Sequence, residues 1–112
     1  MDITATHHDQ VTVIAISGSI DSLNADQLTE AFQVHLSAGR VRLIADFAGV
    51  GYTSSAGLRS LLSTVKDSRR QGGDLRIAGI QPTVERVLSL SGFTSIIKTF
   101  PDVSEAVASF AG

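Results

Sequence analysis

The residues best suited to chemistry are three consecutive hydroxyls, Thr53-Ser54-Ser55, set between the glycine-punctuated stretch AGVGY and an amphipathic segment that opens Ala56-Gly57-Leu58. A serine at a helix N-terminus can do one of two things. Its oxygen can accept from a first-turn N–H that has no partner inside the helix, which makes it a cap. Alternatively it can carry a phosphate, because the same free donors and the positive end of the helix dipole favour an anion there. Arg59 follows Ser55 by four residues and so shares its helical face, where it can pair with such a phosphate or stay a solvated arginine.

Other chemistries fail on spacing. A dinucleotide loop, G-x-G-x-x-G, counted from Gly49 meets Ser54 where the third glycine should stand. A phosphate-binding P-loop counted from Gly51 reaches Ala56 and Gly57 with no lysine. A nucleophile elbow, G-x-S-x-G, has Gly57 after Ser55 but Thr53 before it. The histidines do not rescue a hydrolase or metal reading: His7 and His8 are neighbours that a strand would point to opposite faces, and His35 sits within a helical pattern. No catalytic residue, cofactor or metal is expected.

Composition narrows the classes further. The chain has 112 residues, 43% of them hydrophobic, which suits one domain over 1–112 with a core of its own. It has no cysteine, so disulfides, thiolate nucleophiles and Cys-rich zinc sites are out, and a cytoplasmic setting is expected. The opening MDITATHHDQ lacks the charged-then-apolar profile of a signal peptide, and no apolar run approaches a membrane span. A net charge of -2, one Tyr and no Trp offer neither a basic stripe nor stacking platforms for nucleic acid.

These residues must be positioned by alternating strands and helices. Ile3–His7 and Val11–Ser17 read as a strand pair, the second ending at Gly18. After the loop SIDSL, Asn24 and Gln27 have capping-box spacing ahead of the apolar stripe Leu28, Ala31, Phe32 and Leu36, with Gly39 as terminator. Val41–Phe47 reads as a buried strand and AGVGYTSS as the loop after it, leading to a helix with Leu58, Leu61, Leu62 and Val65 on one face, stopped by Gly72-Gly73. Asp74–Ile80 is a third buried strand, and Pro82 opens a helix with Val84, Val87 and Leu88, closed by Gly92. A short strand over Ser95–Thr99 and a helix capped by Asp102 and Glu105, with Val103, Ala106, Val107 and Phe110 in one stripe, complete the chain. The order β-β-α-β-α-β-α-β-α implies an α/β domain: a mixed, largely parallel sheet of about five strands covered by about four helices.

The segment IADFAGVGYTSSAGLRSLL resembles the signature of the STAS family, the domain of sulfate transporters and anti-sigma factor antagonists. In that family a strand ends in Asp and an apolar residue, and the following helix opens Asp-Ser-Ser/Thr-Gly-Leu. GSIDSLNADQL resembles the family's Gly-x-Leu-Asp loop and first helix, and GGDLRIAGIQPTVERVLSLSGF its strand, Pro and third helix. The resemblance spans nearly the whole chain in register.

What the resemblance implies is partner switching. In the antagonist branch the unphosphorylated protein binds an anti-sigma factor that is also a serine kinase, is inactivated when that kinase phosphorylates its serine, and is restored by a metal-dependent serine phosphatase. Carried onto this chain, the phosphoacceptor is Ser55, with Ser54 as fallback. Asp21, Thr53, Ser54, Ala56, Gly57 and Arg59 form the expected partner-binding set, Asp21 also being readable as a turn aspartate. Ser54 replaces the signature Asp and Ala56 the usual second hydroxyl. Those departures leave a second expectation open, a STAS subunit of an ABC-type lipid or solute transport complex that is not phosphorylated. Neither role involves nucleic acid or direct insertion into a membrane.

Overall fold

The computed structural model describes residues 1–111. Strands β1 (Asp2–His8) and β2 (Val11–Ile20) lead to helix α1 (Ala25–Ser37), then β3 (Arg42–Thr53), α2 (Ser55–Arg70), β4 (Asp74–Ala78), α3 (Pro82–Leu90), a 3-10 turn (Phe93–Ser95), β5 (Thr99–Phe100) and α4 (Val103–Ser109). The five strands lie in the order β1-β2-β3-β4-β5. β1 pairs antiparallel with β2 through a tight turn in which Asp9 adopts φ 55, and the other pairings are parallel. This is the expected mixed sheet with four helices, in the expected order.

Alternation along the strands divides the core between two faces. Ile14 and Ile16 of β2, Leu43, Ala45 and Phe47 of β3, and Leu75 and Ile77 of β4 pack with Leu28, Phe32 and Leu36 of α1, Leu61 and Val65 of α2, and Val84 and Leu88 of α3. The intervening residues Val11, Val13, Ile44 and Ala78 meet Ala106 of α4, backed by Phe100, Val103, Val107 and Phe110. Most residues of the helical stripes read from the sequence face the sheet, but Val87 of α3 is exposed and Leu62 of α2 is half-buried outside the core, beside a surface cleft.

The central strands outrun their expected limits. β2 continues through Gly18 to Ile20, and β3 continues through AGVGYT, the stretch expected to be a loop. The pairing advances from Ala15↔Asp46 to Ser17↔Gly49 to Ser19↔Tyr52, so β3 takes up an extra residue at each of two bulges. A Cβ at Gly49 would stand 2.8 Å from the Ser17 Cβ, so glycine there permits the close approach of two strands rather than marking the end of one. Val50 and Thr53, buried on the extension, hold it to the core.

Two further expectations are corrected. β4 stops at Ala78 instead of Ile80, because Gly79 turns away with φ 67 and its N–H donates to the Phe100 carbonyl at 3.0 Å. The expected strand over 95–99 is displaced: Phe93–Ser95 make a 3-10 turn after Gly92, Ile97 is buried in the core, and the strand begins only at Thr99.

Candidate functional site

The parallel strands β2 and β3 end side by side, with Ile20 opposite Thr53, and α1 and α2 start from that edge. The C-terminal edge of a parallel sheet, where helix N-termini gather, is where α/β domains commonly receive ligands. Here the edge is tied together by the Ser54 N–H, which donates to the Ile20 carbonyl at 2.8 Å. Two bonds from α3 brace it: Gln81 Nε2 donates to the Ala48 carbonyl at 2.9 Å, and Thr83 Oγ1 to the Gly51 carbonyl at 3.5 Å.

Ser54 is the N-cap of α2. Its extended backbone, φ -86 and ψ 173, aims Oγ at the first turn, where it accepts from Gly57 N–H at 3.2 Å. Thr53 is buried, and its hydroxyl donates to the Ser54 carbonyl at 3.3 Å. Gly57 is also buried, and a Cβ on it would lie 2.3 Å from Thr53 Oγ1 and 2.7 Å from Ile20 Cγ2. Only glycine lets the first turn of α2 sit this close to the ends of β2 and β3.

Ser55 is the first residue of α2 and is exposed. Its hydroxyl enters none of the hydrogen bonds found among the described residues. The first turn of α2 carries no acidic side chain, so nothing within the helix offsets its positive end, whereas Arg69 and Arg70 complement the last turn. Ala56 is half-buried beside Ser55, and Arg59 is exposed, lining a shallow surface cleft with Leu62, Lys66 and Arg70.

Asp21 directly follows Ile20 and is a turn residue. Its Oδ1 accepts from the Leu23 and Asn24 N–H groups at 2.9 and 3.0 Å. Asn24 is correspondingly unavailable to cap α1: its Oδ1 accepts from Asp21 N–H at 2.9 Å and its Nδ2 donates to the Ser19 carbonyl at 2.9 Å. The expected box with Gln27 is therefore not made, and α1 has no side-chain cap bond. At α4 the expected cap does form, Asp102 Oδ1 accepting from Glu105 N–H at 2.8 Å.

The fold thus gathers Asp21, Thr53, Ser54, Ser55, Ala56 and Gly57 at one edge, with Arg59 one turn further along α2. It adds two residues that the sequence reading missed: Leu23, 92% exposed in the Asp21 turn, and Tyr52, 54% exposed at the end of β3. Both leave apolar surface exposed at this edge. The signal for Tyr52 was present in the chain, a lone tyrosine immediately before the hydroxyl run. It gained meaning only once that stretch proved to be strand.

The histidines lie at the other end of the sheet. The rings of His7 and His35 meet edge to face at 6.1 Å, and Arg40 Nε donates to His35 Nδ1 at 3.0 Å. Burial, then the charges of Arg40 and His7, hold the His35 imidazolium below its usual pKa. Among the described residues no group of three or more His, Asp or Glu is arranged to hold a metal, and no helix is long and apolar enough to cross a membrane.

The sequence pattern of the STAS domain matches residues 2–106. BtrV of Bordetella bronchiseptica, a proposed anti-sigma factor antagonist, is 32% identical over 98% of this chain and 95% of its own. A solved anti-sigma factor antagonist from Mycobacterium paratuberculosis superposes with a TM-score of 0.90, at 23% identity, covering 99% of this chain and 94% of the other. SpoIIAA of Bacillus, an anti-sigma factor antagonist solved in its unphosphorylated form, gives 0.84 at 18% identity, with 99% and 97% covered. The two superpositions speak for the fold; the pattern match and the Bordetella relative, running almost end to end, place this chain in the STAS domain family.

Proposed function

We propose that this protein is an anti-sigma factor antagonist that works by partner switching, with Ser55 as the phosphoacceptor. The names of its relatives support the antagonist role, and the observation that carries the choice of serine is the unequal standing of two neighbours. Ser54 is half-buried and its oxygen is committed to Gly57 N–H, whereas Ser55 is exposed with its hydroxyl unengaged. A kinase can reach Ser55 without undoing the helix cap, which makes Ser54 the poorer acceptor.

In this reading the unphosphorylated edge binds an anti-sigma factor with serine kinase activity. Asp21, Ser54, Ala56 and Arg59 contribute to the contact surface together with Leu23 and Tyr52. Thr53 and Gly57 act from beneath, by fixing how α2 leaves β3. Ser54 caps the helix as a neutral group where the family signature has Asp, so the edge lacks that carboxylate, and Asp21, which follows the Ile20 bonded to Ser54 N–H, supplies an acid at the same edge.

Phosphorylation of Ser55 adds about -1.5 to -2 charges at a surface the partner must bury. Burying an ill-paired charge in an interface costs about 2–5 kcal/mol, which weakens the complex by roughly 30- to several-thousand-fold. No rearrangement of the core is needed, because the modified oxygen starts in solvent. A metal-dependent serine phosphatase then resets the switch, and all three proteins meet in the cytoplasm.

The test is phosphorylation by the cognate anti-sigma factor kinase, with the site read by fragment mass spectrometry in the wild type, Ser55→Ala and Ser54→Ala. Phosphate on Ser55 that survives Ser54→Ala and disappears in Ser55→Ala supports the assignment. Phosphate on Ser54, or undiminished labelling of Ser55→Ala, contradicts it.

A further inference from the structure

At the opposite end of β2 and β3 from Ser55, the β1–β2 turn and the α1–β3 connection enclose an open cleft of about 560 Å³. Its walls carry Arg40, Arg42 and His7, with Asp9 and Gln10 from the turn. Each of the three nitrogenous side chains is held by one neutral partner. Arg40 Nε donates to His35 Nδ1 at 3.0 Å, Arg42 Nη1 to Gln10 Oε1, and His7 Nδ1 lies 3.2 Å from Thr12 Oγ1.

Such tethering positions charge without neutralising it. Elsewhere Arg69 and Arg76 meet Asp74, and Arg70 meets Asp67, but among the described residues no carboxylate forms an ion pair with Arg40 or Arg42. Both guanidiniums keep most of their N–H donors free, in a fork geometry matched to phosphate and carboxylate oxygens. Because each is already tethered, less side-chain freedom is lost when a ligand arrives. The single acid on the walls, Asp9, is exposed at the turn.

We propose that this cleft is a binding site for a small, multiply charged phosphate-type oxyanion, held between Arg40 and Arg42 with His7 as a third contact. Asp9 offsets part of the positive charge of Arg40 and Arg42, so a ligand with two or more negative charges is held more strongly than a monoanion. The cleft is large enough for a compact phosphate compound and open enough to admit one without movement of the strands. The neutral His35 that accepts from Arg40 keeps that guanidinium in place. Below the pH at which His35 takes a proton, its Nδ1 no longer accepts from Arg40 Nε and Arg40 loses its tether. The charges acting on His35 are those of Arg40 and His7, while Asp9 and Arg42 face Arg40 across the cleft. This site is independent of the Ser55 switch and stands or falls without it.

The experiment is a titration of the full chain with inorganic pyrophosphate at low ionic strength, followed by NMR of the backbone amides. Saturable shifts are expected at Gln10, Gly39 and Val41. Arg40→Gln and Arg42→Gln should each weaken binding by about tenfold or more, as loss of a charge-assisted hydrogen bond implies. Asp9→Asn should tighten it, a gain that no unfolding could mimic, and Ser55→Ala should leave it unchanged. Shifts that fail to saturate, or affinities unmoved by both arginine variants and by Asp9→Asn, would overturn the proposal. So would a response to an oligoglutamate peptide with none to pyrophosphate, which would reassign the cleft to an acidic protein segment.

Discussion

The Ser54 N–H donates to the Ile20 carbonyl at 2.8 Å, so the cap of α2 is hydrogen-bonded to the last residue of β2. Through this bond the two loops of the site, one holding Asp21 and the other the hydroxyl run, are parts of one rigid edge. The surface proposed to meet the partner is therefore set by backbone packing, and the Ser55 hydroxyl is exposed on it.

That packing has a sharp consequence at Gly57. Replacing a helical glycine by alanine ordinarily stabilises by up to about 1 kcal/mol. Here the new methyl would fall 2.3 Å from Thr53 Oγ1 and 2.7 Å from Ile20 Cγ2. Gly57→Ala is predicted to destabilise by about 1–3 kcal/mol instead, read as a lower urea midpoint with an unchanged slope.

The two serines should separate in stability measurements as well as in phosphorylation. Ser54→Ala removes the bond to Gly57 N–H and should cost about 0.5–2 kcal/mol, whereas Ser55→Ala, at an exposed first-turn position, should stay within about 0.5 kcal/mol of wild type. Ser54→Asp keeps a capping oxygen and should recover the loss. Thermal denaturation of the three variants decides this.

Much of the domain was legible in the chain because its helices obey a simple period. Leu28, Phe32 and Leu36, then Leu58, Leu61 and Val65, could be assigned to buried faces from spacing alone, and all six are buried. What local pattern could not show was the use of glycines in long-range contacts. Gly49 and Gly51 read as loop punctuation, yet Gly49 lies where β3 bulges against Ser17 of β2, a neighbour 32 positions earlier. The Asn24–Gln27 box failed for a similar reason: Asn24 has better partners in Asp21 and Ser19, and capping was one of several bonds open to it. Of the site, the cap and the exposed serine were foreseeable. Leu23, Tyr52 and the braces from Gln81 and Thr83 depend on strands being longer than they read.

Acid should weaken the fold through His35. Its folded-state pKa is lowered by burial, then by Arg40 and His7, so the unfolded chain takes up a proton more readily. The stability tied to this residue is fully present above about pH 6.5, the unfolded value, and is lost progressively as the pH falls from there towards the lowered folded-state pKa. Urea midpoints measured from pH 7.5 to 5 should decline, and His35→Gln should flatten that decline.

The ion pairs should rank by burial. Asp74 is buried and meets both Arg69, at 2.8 Å, and Arg76, at 3.1 Å, while Arg76 also stacks on the Phe110 ring at 3.9 Å. Asp74→Ala leaves a half-buried guanidinium unpaired and should cost about 3 kcal/mol or more. Arg70→Ala breaks an exposed pair with Asp67 and should cost less than about 0.5 kcal/mol. Denaturant midpoints of the two variants, measured side by side, test the ranking.

The central claim is that a charge on Ser55 controls partner affinity without disturbing the domain. Its most direct measurement is calorimetric titration of the anti-sigma factor kinase with the unphosphorylated protein and with the protein phosphorylated at Ser55. Binding by the first and a loss of at least about 30-fold by the second, at equal thermal stability, is the predicted result. Equal affinities for the two forms would contradict it.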